Sequence, residues 1–281
     1  MTNFLLTLSC PDQPGIVASV ATGIAELGGN IVENAQFGEP TSQQFCMRTR
    51  FECGLDDASV LRDQLALRAT ALGARFELRR EDERARILIM VSRHDHCLVD
   101  LLYRWRSDEL HVDIVGVVSN HTDLGDFVRG FGLDYLHIPV TPARKADAEA
   151  ELLDLIERRD VDLVVLARYM QILSDEMCRR LAGRAINIHH SFLPGFKGAR
   201  PYHQAWQRGV KLIGATAHYV TSDLDEGPII DQGTARVTHA HTAEQMRIIG
   251  KDVERLVLSR AVQAHVDGRV FLLGDRTVVF P

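Results

Sequence analysis

The chain has few cysteines and no pattern that would join them. Its five cysteines, an odd number, are scattered over 281 residues, and none belongs to a Cys-x-x-Cys pair. We therefore expect reduced thiols rather than a disulfide framework or a zinc site. Long apolar runs are also missing, and the short run near the amino terminus stops at Pro11 without a basic segment before it. We expect no signal peptide, no membrane span and a cytoplasmic location.

Positive charge is not in excess. The formal net charge is −6 at pH 7, and no basic run with interleaved aromatic residues occurs. Both features argue against a general nucleic-acid binder. Hydrophobic residues make up 46% and charged residues 25%, as in ordinary globular proteins, and 281 residues are enough for two domains with substantial cores.

Charge and periodicity divide the chain into two α/β domains. Residues 1–80 follow the order βαββαβ, which is typical of a ferredoxin-like split-βαβ domain. Residues 81–86 are nearly all charged and predict a solvated linker. In residues 87–281 strands alternate with helices, which predicts a doubly wound, mostly parallel sheet with ligands beyond the carboxyl ends of its strands. Two short strands, 269–273 and 277–280, are expected to close this second domain as a hairpin.

Three polar side chains indicate where the chemistry of this chain lies. Asn187 and His189 end a short buried strand and are two residues apart, so both side chains leave the same face. An amide donor beside an imidazole is suited to holding a carbonyl oxygen as it becomes an oxyanion. Asp225 lies in a turn after the next strand, where its carboxylate can orient the imidazole or take a proton from water. No plausible Ser or Cys nucleophile stands between them, which favours acyl chemistry without a covalent intermediate.

Each of these residues also has a purely structural explanation. A histidine at a strand end is often only a hydrogen-bonding residue, and an acidic turn is often only a turn. The order of the motifs favours the functional interpretation. Asn-Ile-His at 187–189, Ser-Phe-Leu-Pro at 191–194, His-Tyr-Val-Thr at 218–221 and Asp-Glu-Gly-Pro at 225–228 resemble the folate-dependent formyltransferase family, and the resemblance covers nearly the whole chain.

The resemblance implies a folate substrate and no metal or tightly bound cofactor. In this family the segment equivalent to residues 170–173 lines the pterin pocket, although the apolar side chains of this segment would also suit an ordinary core. Arg168 either offsets the negative tail of the folate or is a surface charge. The implied folate-binding residues are Met170, Gln171, Ile172, Leu173, Asp223, His218 and Lys197.

For such a site the implied reaction is hydrolysis of 10-formyltetrahydrofolate to tetrahydrofolate and formate. Water attacks the formyl carbon, Asn187 and His189 stabilise the formyl oxygen, and Asp225 holds the water and acts as its base. The first βα turn of the second domain, residues 91–96, has no glycine and many bulky side chains. It is therefore poorly suited to the phosphate of an amine acceptor. Its histidines, His94 and His96, are expected in a surface loop, and no third metal ligand accompanies them.

Two alternatives remain open at this point. One keeps the fold and the folate but transfers the formyl group to an amine such as glycinamide ribonucleotide. The other, of a different class, is a non-catalytic protein that senses amino acids. A formyltransferase acting on tRNA is disfavoured, because it would need a basic surface and a further carboxyl-terminal domain.

The first domain resembles an ACT domain, a small regulatory module. The turns Asp-Gln-Pro-Gly-Ile-Val at 12–17 and Gly-Gly-Asn-Ile at 28–31 carry this resemblance, although turn chemistry alone also explains their prolines and glycines. Such domains often bind amino acids at paired interfaces. The resemblance implies a homodimer or homotetramer and an amino-acid effector, or a domain that serves only as a dimer interface.

Overall fold

The structure, a computed structural model, describes residues 1–55, 57–195 and 201–281. These residues form two compact units. The first comprises Met1–Glu83 together with Asp267–Pro281, and the second comprises Arg84–Val266. No helix in the described ranges is long and apolar enough to cross a membrane.

The first unit contains an antiparallel sheet of four strands in the order β2-β3-β1-β4. Its helices cover one face, where apolar side chains such as Phe4, Ile24 and Leu61 form the core. The Asp57 side chain caps the second helix by accepting a hydrogen bond from the Ser59 backbone N–H. The predicted βαββαβ order is confirmed, with elements β1 (Thr2–Pro11), α1 (Ile16–Glu26), β2 (Asn30–Glu39), β3 (Gln44–Cys53), α2 (Ala58–Ala71) and β4 (Arg75–Arg80).

The carboxyl-terminal hairpin belongs to this first unit, whereas the sequence predicts it in the second domain. Its strands are β12 (Val270–Leu273) and β13 (Arg276–Val279). Phe271 and Phe280 pack with Cys46 of β3. Because successive side chains of a strand point to opposite faces, Cys46 faces away from the helices while its neighbours Phe45 and Met47 join the core. The hairpin thus covers apolar surface that the two helices leave exposed.

The second unit is built on a seven-stranded sheet in the order β11-β10-β9-β8-β5-β6-β7. Strands β5 to β9 pair in parallel, and β10 pairs antiparallel with both of its neighbours, β9 and β11. The predicted mostly parallel α/β fold is therefore confirmed. Its elements are β5 (Ala85–Val91), α3 (His96–Arg106), β6 (Val112–Ser119), α4 (Gly125–Arg129), β7 (Tyr135–His137), α5 (Lys145–Arg158), β8 (Leu163–Leu166), α6 (Asp175–Arg180), β9 (Ala185–His189), α7 (Pro201–Gln207), β10 (Leu212–Tyr219), β11 (Ile229–Arg236) and α8 (Ala243–Val266).

The parallel strands bring three distant loops to one edge of this sheet. Strands β5, β8 and β9 are adjacent and parallel, so the segments that follow them leave at the same edge. All four residues of β8 are buried, as expected for a strand covered on both faces. Strand β10 returns antiparallel beside β9 and places His218 directly opposite Asn187. The topology thereby gathers the polar residues that the sequence scatters.

Candidate active site

A cavity of about 860 Å³ opens at this edge of the second unit. Asn187, His189 and Asp225, the three residues predicted to carry the chemistry, all line it. Residues 170–173 line it as well, together with His218 and Asp223. Its volume lies within the range of small-molecule sites, which is about 300–1,000 Å³. Among the predicted site residues, Lys197 lies outside the described residues.

His189 and Asp225 form a buried contact between an imidazole and a carboxylate. Nδ1 of His189 lies 3.1 Å from Oδ1 of Asp225, and both side chains are nine-tenths buried. Nδ1–H donates to the carboxylate, and Nε2 is buried without a partner among the described residues. This arrangement fixes the orientation of the imidazole ring and leaves Nε2 as the nitrogen that can meet a ligand.

Asn187 is oriented by His218 across the strand pair. Burial lowers the pKa of His218, although a hydrogen bond to Tyr219 acts in the opposite direction, so the ring is neutral. Nδ1 of His218 lies 2.9 Å from the Tyr219 carbonyl oxygen and donates to it. Nε2 therefore accepts from the Asn187 side-chain N–H at 3.2 Å. The amide keeps a second N–H, which is available to a ligand oxygen.

The turn that carries Asp225 depends on a glycine. Asp225 adopts a φ of 58°, a left-handed conformation that aspartate tolerates better than most residues. A Cβ on Gly227 would overlap the carbonyl oxygen of Tyr219, so only glycine lets the turn approach β10 this closely. The backbone hydrogen bond from Tyr219 N–H to the Pro228 oxygen closes the turn at 2.9 Å. Backbone geometry thus brings Asp225 within reach of His189.

The Asp225 carboxylate stays ionised in this setting. Burial alone raises its pKa, but the hydrogen bond and the charge of His189 outweigh burial and hold the pKa below the usual value. The neighbouring His190 ring stacks on His189 with ring centroids 5.2 Å apart. Burial, aided by the positive charge of Arg168, lowers the pKa of His190 to about 3. The site therefore contains the ionised carboxylate of Asp225 and the neutral ring of His190.

The predicted folate-binding segment divides into two kinds of side chain. Met170 and Ile172 are 53% and 61% exposed and line the cavity, so they are not the core residues that their apolar character also allowed. Leu173 is 9% exposed and joins the core cluster beneath the cavity wall. Large exposed apolar side chains inside a cavity indicate a surface that the apolar part of a ligand would cover.

A second group of polar side chains lines the same cavity, and sequence reasoning did not assemble it. Glu254 of α8 is 1% exposed, and the Tyr202 hydroxyl donates to its Oε1 at 2.6 Å. Nε2 of His96 donates to its Oε2 at 2.7 Å, and Nε of Arg168 lies 3.5 Å from the same oxygen. These four residues are called the Glu254 cluster below. Arg168 is buried, so it is not the surface charge that the sequence also allowed.

The sequence does contain a signal for this cluster. Glu254 lies four residues after Gly250 and eight after Met246, on the stripe of α8 that is buried. A glutamate on an otherwise apolar helix stripe is almost never fully buried unless it is paired. The pairing partners cannot be found from the sequence, because they come from three other segments of the chain.

The fold and this site define the class of protein to which the chain belongs. The family model described as formyl transferase matches residues 85–262, and the model described as ACT domain matches residues 4–69. The chain therefore belongs to the formyl transferase family, with an ACT domain before the transferase fold. The predicted resemblances of both domains are confirmed.

Relatives of this chain narrow the class further. Formyltetrahydrofolate deformylase of Corynebacterium sp. (strain P-1) is 47% identical over 98% of this chain and 97% of its own length. The deformylase of Bacillus subtilis (strain 168) is 43% identical over 98% of this chain and 93% of its own length. The crystal structure of the deformylase from Burkholderia mallei covers 100% of both chains with a TM-score of 0.97 and 49% identity.

Transformylases are similar over a smaller part of the chain. The structure of glycinamide ribonucleotide transformylase 1 from Symbiobacterium toebii covers 73% of this chain with a TM-score of 0.68 and 30% identity. Along its full length, this chain is thus similar to formyltetrahydrofolate deformylases.

Proposed function

We propose that this chain hydrolyses 10-formyltetrahydrofolate to tetrahydrofolate and formate. The observation that carries the proposal is the buried pair of His189 and Asp225 beside Asn187 in a cavity with apolar walls. The deformylases similar to this chain match it from end to end, whereas the transformylase structure covers 73% of it. The second finding favours water over an amine as the acceptor of the formyl group.

The groups present suffice for direct attack by water. Asp225, ionised and at hydrogen-bond distance from His189, holds the attacking water and takes its proton. As the water oxygen bonds to the formyl carbon, negative charge grows on the formyl oxygen. The second N–H of Asn187 and Nε2–H of His189 donate to that oxygen. The C–N10 bond then breaks, and N10 takes up a proton.

The substrate lies with its pterin against residues 170–173. Backbone groups and the exposed side chains of Met170 and Ile172 contact the flat ring. The Ser92 hydroxyl accepts a hydrogen bond from the Met170 backbone N–H at 2.9 Å and so holds this segment in place. Asp223, Gln171 and His218 line the same cavity and complete the folate site. We keep Lys197 as a ligand of the folate tail on the basis of the family resemblance alone.

The ACT domain supplies assembly and regulation in this proposal. A homodimer or homotetramer forms through it, and an amino acid is its effector. The reaction takes place in the cytoplasm, where a reducing environment suits five free and buried cysteines. The folate is a substrate, and the mechanism uses no metal or tightly held cofactor.

The test is to mix the purified protein with 10-formyltetrahydrofolate in the absence of any amine. We expect formate and tetrahydrofolate to appear in equal amounts. Turnover only after glycinamide ribonucleotide is added would make the protein a transformylase instead. No turnover under either condition would favour the amino-acid-sensing alternative, and amino-acid binding to the first domain would then be measured.

A further inference from the structure

The imidazole ring of His190 lies between the Glu254 cluster and His189, one of the proposed reacting groups. The His190 ring centroid lies 5.2 Å from that of His189 and 6.2 Å from that of Tyr202. Tyr202 in turn lies so close to the backbone of α8 that a Cβ on Gly250 would overlap its hydroxyl group. Glu254 therefore fixes a wall of the cavity that adjoins the formyl-transfer chemistry.

The Glu254 carboxylate is ionised and held by its neighbours. Burial alone raises the pKa of Glu254, but the His96 hydrogen bond, the charge of Arg168 and the Tyr202 hydrogen bond lower it to about 2. Both carboxylate oxygens have partners and the side chain is 1% exposed, so an incoming ammonium or amine does not reach it. Glu254 thus acts on the other three side chains and not on a ligand.

Arg168 gives this wall an excess of donors. Its Nε and Nη1 are buried without a hydrogen-bond acceptor among the described residues. Its side chain is 9% exposed and lies in a cavity that Lys251 also lines. An amine acceptor brings further N–H donors, and its protonated form brings positive charge. The positive charges of Arg168 and Lys251 oppose the entry of a protonated amine but not of a neutral water molecule, so the wall favours water over amines.

We propose that Glu254 determines the acceptor specificity of this site as a positioning residue. By holding His96, Tyr202 and Arg168 in place, it closes this side of the cavity to amines and reserves the space beside the formyl carbon for water. This inference rests on the proposed hydrolysis of 10-formyltetrahydrofolate. It adds the residues that exclude a competing acceptor from a fold shared with transformylases.

If the wall is removed, a small amine can compete with water. The amine nitrogen would bond to the formyl carbon, the C–N10 bond would break, and the proton lost by the amine would pass to N10. The products would be a formylated amine and tetrahydrofolate, with no formate. The ratio of formylated amine to formate therefore measures the acceptor specificity directly.

The test uses the double variant Arg168→Gly/Glu254→Gln, with glycinamide as the amine. The double change removes both buried charges together, so neither is left unpaired. Arg168 has a φ of 66°, a left-handed conformation that suits glycine. The control is Asp252→Asn, which removes an exposed acid on the same helix that pairs with Arg255.

We expect the double variant to raise the ratio of formylglycinamide to formate at least ~10-fold over the parent. Its kcat for formate release should fall ~10-fold, while KM for 10-formyltetrahydrofolate stays within ~3-fold. The control should match the parent in all three quantities. A merely structural role for the cluster would lower the yield of folded protein without changing the product ratio.

A folded double variant that still yields formate alone would overturn the role of Glu254. If that variant does not fold, judged by circular dichroism, Glu254→Gln alone gives the test at the residue itself, because the amide keeps the size of the side chain and removes its charge. The hydrolysis by the parent is measured first. If the parent releases no formate, the proposed function is contradicted. If the parent hydrolyses the substrate and the variants still form only formate, the assignment of Glu254 alone is contradicted.

Discussion

Two buried carboxylates line the same cavity, and their surroundings differ. Asp225 is 10% exposed and has its closest contact with a single imidazole, that of His189. Glu254 is 1% exposed, and its two oxygens contact a hydroxyl, an imidazole and a guanidinium. Both have a lowered pKa, because partners outweigh burial in each case. A lowered pKa therefore does not by itself separate a reacting group from a positioning one.

The backbone beneath each carboxylate separates them further. Asp225 lies in a tight turn with a left-handed φ, held against β10 by the close approach of Gly227. Glu254 lies in the middle of α8, a helix of 24 residues, and its neighbours on the buried stripe are apolar. Strained turns at strand ends are typical of reacting groups, whereas a paired acid within a helix is typical of an internal support.

The largest expected effect comes from Asp225→Asn. The amide keeps the size of the side chain but can neither take a proton from water nor balance a positive imidazole, so kcat should fall ~10³-fold or more. The dissociation constant for the folate should change little, because the apolar walls are untouched. Steady-state kinetics and equilibrium titration with a folate analogue measure the two quantities.

Glu226→Gln is the matched control for this change, because Glu226 is an exposed acid on the same turn. It should keep the kcat of the parent. Near-normal turnover in Asp225→Asn would remove this carboxylate from the proposed role.

A smaller loss is expected from Asn187→Ala. Removing one donor to a developing oxyanion typically costs ~10²–10³ in kcat. The double variant Asn187→Ala/Asp225→Asn should be only slightly slower than Asp225→Asn, because residues that act as a unit are not additive. Single-turnover formate release measures all three variants. Full additivity of the two losses would place Asn187 and Asp225 in independent steps.

The sequence predicts one of these two carboxylates and misses the other for a physical reason. Asn187 and His189 have a spacing that any strand converts into a shared face, and Asp225 follows in a motif of local turn residues. These are short-range relations. The contacts of Glu254 join segments up to 158 residues apart, and no local pattern fixes which of them meet.

The same distinction explains the domain boundary. Alternating strands and helices predict the parallel sheet, because each unit of that fold is local. The hairpin of β12 and β13 also has the expected strands, but its partner is Cys46, more than two hundred residues earlier. The sequence shows that the hairpin exists, and only the folded chain shows which apolar face it covers.

The smallest expected effect concerns stability against acid, and it distinguishes the two carboxylates without any substrate. The folded-state pKa of Glu254, about 2, lies below the ordinary value of 4.5, so the folded chain binds fewer protons between these values. Its ionised form therefore stabilises the fold above pH 4.5, and this contribution is lost as the pH falls towards 2. The free energy of unfolding of Arg168→Gly/Glu254→Gln should fall less steeply than that of the parent over this window, measured by urea denaturation. Asp225→Asn should change the slope less, because its partner is one histidine instead of three groups. An unchanged slope in the double variant would mean that Glu254 is already protonated in the folded parent.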